Sequence, residues 1–383
     1  MKFSDIPGQQ KIKELLIKTT KEGRIPHAQL FNGPNGYGTL ALAIAYAQYI
    51  LCEDKKENDS CGICPSCYKI SKLEHPDLHF SFPVNKSQYT EITNSKGEII
   101  SDSLIRKWRE QVLTLKPNGY FTEKDWYNTI NLGKNSQGNI SRAEANEIIR
   151  KLSYKSFEGG YKILIIWLPE RMNEAAANAL LKLFEEPAEK TLFLFVTADS
   201  DSMLKTILSR TQILNIPPID TESIYKYLSD TYEDKEKCAA IARMSGGDCM
   251  KAVDMMEDNT DNENFELFSS LMRLCYTVNH LGLIEWAENI AGLGRESQKN
   301  FLTYSLNLLR ESYILSVGVP EISYIYGKEA EFINKFYPFI HYKNIVYLTE
   351  EFEKAIRDLS SNGNAKIIFI HFALSISKQI RKV

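Results

Sequence analysis

The stretch FNGPNGYGTLALA, residues 31–43, decides the fold. A phosphate-binding loop reads G-x-x-x-x-G-K-[ST] between a strand and a helix. Its backbone N–H groups cradle phosphates, its lysine neutralises their charge and its hydroxyl ligates magnesium. Gly33 and Gly38 stand at the two glycine positions, but Thr39 replaces the lysine and Leu40 the hydroxyl residue. Upstream, HAQLFNG (27–33) reads as a short buried strand; downstream, YGTLALAIAYAQYIL (37–51) reads as an Ala-rich helix. The frame of a nucleotide site is kept and its charge is gone. The bland alternative is a tight turn kept for shape, because glycine tolerates positive φ. Weak nucleotide contact through the Gly36 and Gly38 amides stays open.

Working outward, strands alternate with helices. GQQKIKELLIKTTKE (8–22) carries Ile12, Leu15, Leu16 and Thr19 at helical spacing. DLHFSF (77–82), YKILIIWLPE (161–170), TLFLFVTAD (191–199) and the end of DSMLKTILSRTQILNIPP (201–218) are strand candidates. The longest apolar runs mark strands buried on both faces of a parallel sheet. SRAEANEIIRKL (141–152) opens with a Ser141/Glu144 capping box, and NEAAANALLKLFEEP (173–187) starts near Asn173 and stops at Pro187. The pattern predicts an α/β module. Residues 84 to about 140 are more polar, with a hairpin expected around Asn94–Gly97 and a helix carrying Leu104, Ile105, Trp108, Val112 and Leu115. They read as an insertion of unassigned purpose. After Pro217-Pro218 a small helical segment runs to about residue 258, EDNTDNEN (257–264) reads as a linker, and helices fill the rest.

Four of the seven cysteines fall together, Cys52, Cys61, Cys64 and Cys67, spaced C-x8-C-x2-C-x2-C. Two C-x2-C steps sharing Cys64 bring three thiolates to one knuckle, and the longer loop lets Cys52 close a tetrahedron. Four sulfur ligands with no open position describe structural zinc. The alternative is reduced, unligated thiols. His75 and His79 could be spare metal ligands but, with four thiolates filling the shell, read as structural or solvent-facing, and Cys238, Cys249 and Cys275 as small core residues.

Composition bounds the function. The chain has 383 residues, 43% hydrophobic and 25% charged, room for two or three domains. A net charge of −3 gives no global case for nucleic-acid binding. No apolar run is long enough to span a membrane, and the N-terminus lacks an apolar signal core, so a cytoplasmic protein is expected.

HAQLFNGPNGYG, the cysteine cluster, HPDLH (75–79), NEAAANALLKLFEEP and TILSR (206–210), in this order, resemble the clamp-loader subunits of bacterial DNA polymerase III. The delta-prime branch is the nearest in pattern. The gamma/tau branch shares the layout but keeps an intact phosphate loop. The resemblance implies an AAA+ α/β module over 1–217, holding the zinc module (52–67) and the insertion (about 84–140). It implies a small helical lid over 218–260 and an all-helical collar over 261–383. It also implies gamma/tau-type and delta-type partner subunits, the sliding clamp and primed DNA. In relatives, an Asp-Glu pair closes the strand before the helix at 173; counting back from Met172, those positions are Trp167 and Leu168, and Glu170 lies past the strand end. ATP hydrolysis in this chain's own site is therefore not expected. Ser209-Arg210 matches the pair that projects into a neighbour's ATP site as an arginine finger; without the resemblance, Arg210 reads as a helix cap. Lys251 matches a nucleotide-sensing position whose role is expected to have lapsed, and Asn178 with Lys182 reads as a polar helix face. Two readings stay open: an active gamma/tau-type ATPase, and a stand-alone zinc-containing DNA-binding protein.

Overall fold

The computed structural model describes residues 1–90, 93–94, 96–132, 136–257, 260–319, 325, 327–361 and 363–380, with the side chains of 260–262 excepted. The chain divides into two compact units, Met1–Thr231 with Ser245–Val253, and Tyr232–Met244 with Asp254–Val383.

The first unit alternates helices and strands in chain order: α1 (Gln10–Lys21), β1 (Ala28–Asn32), α2 (Thr39–Leu51), α3 (Pro65–Ser71), β2 (Leu78–Ser81), α4 (Ile105–Thr114) and α5 (Glu123–Thr129). There follow α6 (Arg142–Ser153), β3 (Lys162–Trp167), α7 (Glu174–Glu185), β4 (Thr191–Thr197), α8 (Lys205–Leu208), β5 (Gln212–Asn215) and α9 (Thr221–Thr231). The strands form one parallel sheet in the order β2-β3-β4-β1-β5. Every residue of β3 and β4 is buried, as the unbroken apolar runs require of strands covered on both faces. The core on one face joins Leu30, Leu164, Ile166, Phe193 and Phe195 to Ile148, Leu180 and Phe184 of α6 and α7. Asn173 caps α7, its side chain accepting the Ala176 N–H at 2.8 Å.

Three local readings are corrected. In α1 the buried face is Ile12, Lys13, Leu16 and Ile17, while Leu15 is exposed. Lys13 turns inward because its ammonium donates to the Ile6 carbonyl at 2.6 Å. Only half of the capping box forms: Ser141 accepts the Glu144 N–H at 3.4 Å, but the Glu144 carboxylate takes the Ser101 N–H at 2.7 Å instead. The stretch read as a linker is helical from Thr260. Of the expected hairpin, Glu91, Ile92 and Ser95 lie outside the described residues; Gly97, at φ +76°, donates its N–H to the Asn94 carbonyl.

The second unit is helical: α10 (Lys235–Met244), α12 (Thr260–Thr277), α13 (His280–Ala291), α14 (Arg295–Ser316), α15 (Gly327–Phe336), α16 (Ile345–Ser360) and α17 (Ala365–Gln379); α11 (Cys249–Glu257) begins in the first unit. Its core gathers Phe268, Trp286, Phe301, Leu302, Leu309, Phe352 and Phe372, with Leu306 and Tyr313 packed at its margin. Among the described residues no helix is long and apolar enough to cross a membrane. Cys238, Cys249 and Cys275 are buried in their cores.

Candidate functional site

The glycine loop sits where β1 ends between β4 and β5, at the carboxyl end of the parallel strands, where a ligand crevice opens in such folds. Gly33 donates to the Thr197 carbonyl, which pins the loop to β4. Gly38, at φ +84°, turns the chain into α2, whose first N–H groups have no partner inside the helix. Those donors are the ones a phosphate would use. Thr39 and Leu40 are buried with them.

The insertion packs against this end of the sheet. At the end of β2, Phe82 stacks on Trp108 of α4, centroids 4.2 Å apart and planes 11° apart, and Trp126 of α5 meets Phe82 edge-on at 5.3 Å. Trp108 continues to Trp167 at 5.0 Å, and Phe121 reaches the same indole at 5.1 Å. Trp167 is one of the two strand-end positions at which the resemblance drawn from the sequence leads to the expectation of carboxylates in a working site. Three consecutive residues then lie across the loop and the start of α2. Gly119, at φ +78°, lies over Ala41, where a Cβ added to it would stand in van der Waals contact at 3.5 Å, and Tyr120 brings its hydroxyl against Gly38 so closely that any side chain there would collide with it. Phe121 completes the row on Trp167. On the other side of the loop the Asp248 carboxylate presses on Gly36 in the same way. Asp248 is held there as it accepts the Lys251 N–H at 2.9 Å at the start of α11.

Several polar groups nearby are tied to other side chains or to the backbone. Glu170 accepts from the Thr197 hydroxyl at 2.9 Å, and burial raises its carboxyl to a pKa of about 6. Arg171 pairs with Glu123 of the insertion, Nη2 to Oε2 at 2.7 Å. Trp126 donates its indole N–H to the Pro83 carbonyl at 2.9 Å. Nothing in the sequence flagged Tyr120 as a neighbour of Gly38, since the contact joins residues far apart in the chain. The polar couple Asn178 and Lys182 lies on an exposed face of α7.

Arg210 follows α8. Its Nε and Nη2 donate to Glu185 Oε1 at 2.8 and 2.5 Å, and Nη1 donates to the Thr206 carbonyl at 2.7 Å and the Ser209 hydroxyl at 3.0 Å. The side chain remains one-third exposed, at 33%. It therefore caps α8 and stands at the surface at the same time.

The four cysteines converge. Their sulfurs all lie within 4.8 Å of one another, and Cys61 Sγ is 3.9 Å from Cys67 Sγ. A tetrahedron with Zn–S bonds of about 2.3 Å has edges of roughly 3.8 Å, so the donor set fits zinc. Cys52 ends α2, Gly62 at φ +76° makes the knuckle, and Cys64 caps α3 with Pro65 behind it. Backbone N–H groups of Ile63 and Cys64 pull the Cys61 thiol down to about 6, favouring the thiolate a metal needs, while burial pushes Cys52 and Cys67 up. The histidines are structural: buried His75 meets Glu158 at 2.9 Å, and Glu158 accepts from Ser66 of α3 at 2.9 Å and from Lys69. Asp77 holds that loop by accepting the Phe157 and Glu158 N–H groups at 2.8 and 2.9 Å. Burial lowers His79 to about 4.

A parallel sheet whose first strand feeds a glycine loop and helix, beside an embedded four-cysteine cluster, is a P-loop-type α/β module, here without the lysine and second hydroxyl residue of the phosphate-binding pattern. The family described as "DNA polymerase III, delta subunit" matches residues 8–220, more than half of the chain, and the chain belongs to that family. Relatives named DNA polymerase III subunit delta' include that of Haemophilus influenzae, 28% identical over 254 residues, covering 66% of this chain and 62% of that protein. The Escherichia coli protein of the same name is 25% identical over 329 residues, 85% of this chain and 81% of its own length. DNA polymerase III subunit gamma/tau of Mycobacterium tuberculosis is 25% identical over 209 residues, 55% of this chain and 27% of that protein. The chain thus spans a little under two thirds of the H. influenzae relative.

Proposed function

We propose that this chain is a non-hydrolysing subunit of the replicative sliding-clamp loader. It works beside gamma/tau-type and delta-type subunits in the cytoplasm to place the sliding clamp on primed DNA. Residues 1–217 serve as the AAA+ module, 218–260 as its lid and 261–383 as the collar that joins other subunits. Cys52, Cys61, Cys64 and Cys67 hold a structural zinc ion, which braces α2 against α3.

The observation that carries the reading is a contrast within one module. The cradle has no lysine at 39, no hydroxyl at 40 and no strand-end carboxylate at 167 or 168, yet Ser209-Arg210 stays at the surface. A cradle without those groups cannot hold Mg²⁺ at a γ-phosphate, so ATP is not turned over in this site. Arg210 is planar, permanently charged and bidentate toward phosphate, the chemistry needed to stabilise phosphoryl transfer in a neighbour's site. Its bonds to Glu185 and Thr206 hold it ready at the end of α8.

Arg210→Ala tests this. In the reconstituted complex, with the other ATP sites inactivated at their phosphate-loop lysines, DNA-stimulated turnover at the adjoining site should fall by about 10³- to 10⁵-fold. Folding, zinc content and assembly should be unchanged, and Arg210→Lys should rescue little, as an ammonium lacks the bidentate fork. An unchanged rate in that background reduces Arg210 to a helix cap.

A further inference from the structure

The insertion over about 84–140 has a place in the site already described. We propose that its Gly119-Tyr120-Phe121 segment, together with Asp248, is the resident ligand of the nucleotide cradle, so that the module holds its shape without nucleoside triphosphate and does not respond to it. This deepens the reading above, in which the site turns over no ATP, and the two fail separately. A chain that bound ATP without hydrolysing it would overturn only the present inference.

The argument starts from space. Gly119 packs on Ala41, Tyr120 on Gly38, and Phe121 on Trp167, so three successive residues follow the line from the first turn of α2 to the end of β3. Phosphates would have to enter along that line. Tyr120 is 4% exposed, and its hydroxyl, buried against the glycine, has no hydrogen-bond partner among the described residues. An unpaired buried hydroxyl costs stability, and its position over the loop is what the row of contacts dictates. Charge works in the same direction. Asp248 sets a carboxylate against Gly36, where a working cradle receives an anion, and Thr39 offers no cation to offset it. A phosphate entering there meets a like charge in a partly dehydrated place.

Attachment of the segment follows from its anchors. Trp108, Trp126 and Phe82 form one aromatic cluster, Arg171 binds Glu123, and the ends of the insertion are stitched to the sheet by the Val84–Asn139 and Ile140–Met172 bridges. The segment is therefore held as part of the core, unlike a mobile flap.

Two measurements on the full chain decide the matter. Three of the four tryptophans, Trp108, Trp126 and Trp167, lie in the cluster beside the cradle, so their emission reports entry of a ligand. Titration with MgATP or MgADP to about 1 mM, where binding is worth only ~4 kcal/mol, should give no saturable change. Saturable one-to-one binding overturns the proposal. Hydrogen exchange is the second measurement. Tyr120→Ala should speed exchange of the amides over 33–42 by tenfold or more beyond any change in β3 and β4, while Tyr120→Phe, which removes only the unpaired hydroxyl, should keep wild-type protection. If Tyr120→Ala does not fold, Tyr120→Leu is read on the same peptide. Unchanged exchange over 33–42, or a rise shared equally by β3 and β4, overturns the occupant role.

Discussion

Trp108 is where the insertion and the sheet become one core, and its removal has a calculable cost. The indole is fully buried and touches four aromatic rings, Phe82 at 4.2 Å, Trp167 at 5.0 Å, and Phe121 and Trp126 at 5.4 Å. Truncating a buried tryptophan to alanine costs about 3–5 kcal/mol through lost transfer energy and the cavity left behind. Ring pairs add about 0.5–1.5 kcal/mol each beyond burial, though not additively when they share one ring. Trp108→Ala should therefore destabilise the first unit by about 4–5 kcal/mol, equivalent to a fall in Tm of roughly 10 °C for a unit of this size. Trp108→Phe is the informative control. The indole N–H has no partner among the described residues, so phenylalanine removes an unpaired buried donor while keeping most of the ring, and the loss should stay under about 1.5 kcal/mol. Urea unfolding followed by tryptophan emission, in a Trp286→Phe background that silences the helical unit, measures both. An alanine cost below about 1 kcal/mol with unchanged m-value would mean that the insertion is a loose appendage, and the occupied-cradle account would fall with it.

Elemental analysis of folded protein should give close to one zinc per chain, with Zn–S distances of about 2.3 Å by X-ray absorption; Cys61→Ser should lower zinc retention, and well-folded metal-free protein whose stability is untouched by chelation would end the assignment. Glu170 gives a pH signature. Its folded pKa of about 6 lies above the ordinary 4.5, chiefly through burial, so the folded state binds the extra proton between those values and stability declines as pH rises through that window. Glu170→Gln, which can still accept from Thr197, should remove that slope and raise stability at pH 7 by up to about 2 kcal/mol, and a variant less stable than wild type at pH 7 would show the carboxylate to be favourable.

The sheet was legible because its central strands have no choice. KILIIW and TLFLFVT can be satisfied only between two covered faces, and Asn173 and Pro187 bracket α7 by capping chemistry that acts over a few residues. The cysteine cluster was legible for a similar reason, since ligand spacing is local. What stayed hidden depends on partners far away in the chain. The period of 104–115 placed Trp108 on a buried face but did not say that the face covers the end of β3. The Glu144 side chain had a local partner in the Ser141 N–H and chose Ser101, 43 positions away, because that donor is buried and would otherwise be unsatisfied. Lys13 reads as a solvated charge until the Ile6 carbonyl is brought over it. Glu185, the carboxylate on Arg210, and Asp248, beside the glycine loop, carry no sequence signal beyond being acidic.

The charge lost from the glycine loop and the segment that fills it are two sides of one physical condition. A phosphate cradle is a set of unpaired N–H donors and a cation, stable because an anion completes it. Without that anion, a lysine at the head of α2 and a carboxylate pair at the end of β3 would be charges in a closed, largely anhydrous space. Each would need a partner or have to give up its charge. Positions 39, 40, 167 and 168 are all buried at 4% exposure or less, and the residues there are Thr, Leu, Trp and Leu, three of them hydrocarbon and none ionisable. Those side chains suit a space closed by Tyr120, Phe121 and Trp108, and would suit an open nucleotide site poorly. Asp248 fits the same account, because a carboxylate tolerated against Gly36 signals that no phosphate competes for the position. Arg210 escapes this logic. It sits at the surface with 33% of its side chain exposed, where a guanidinium keeps its charge at little cost. A module built this way can do without charged groups around its glycine loop and still keep at its surface the arginine proposed above to act on a ligand held by another chain.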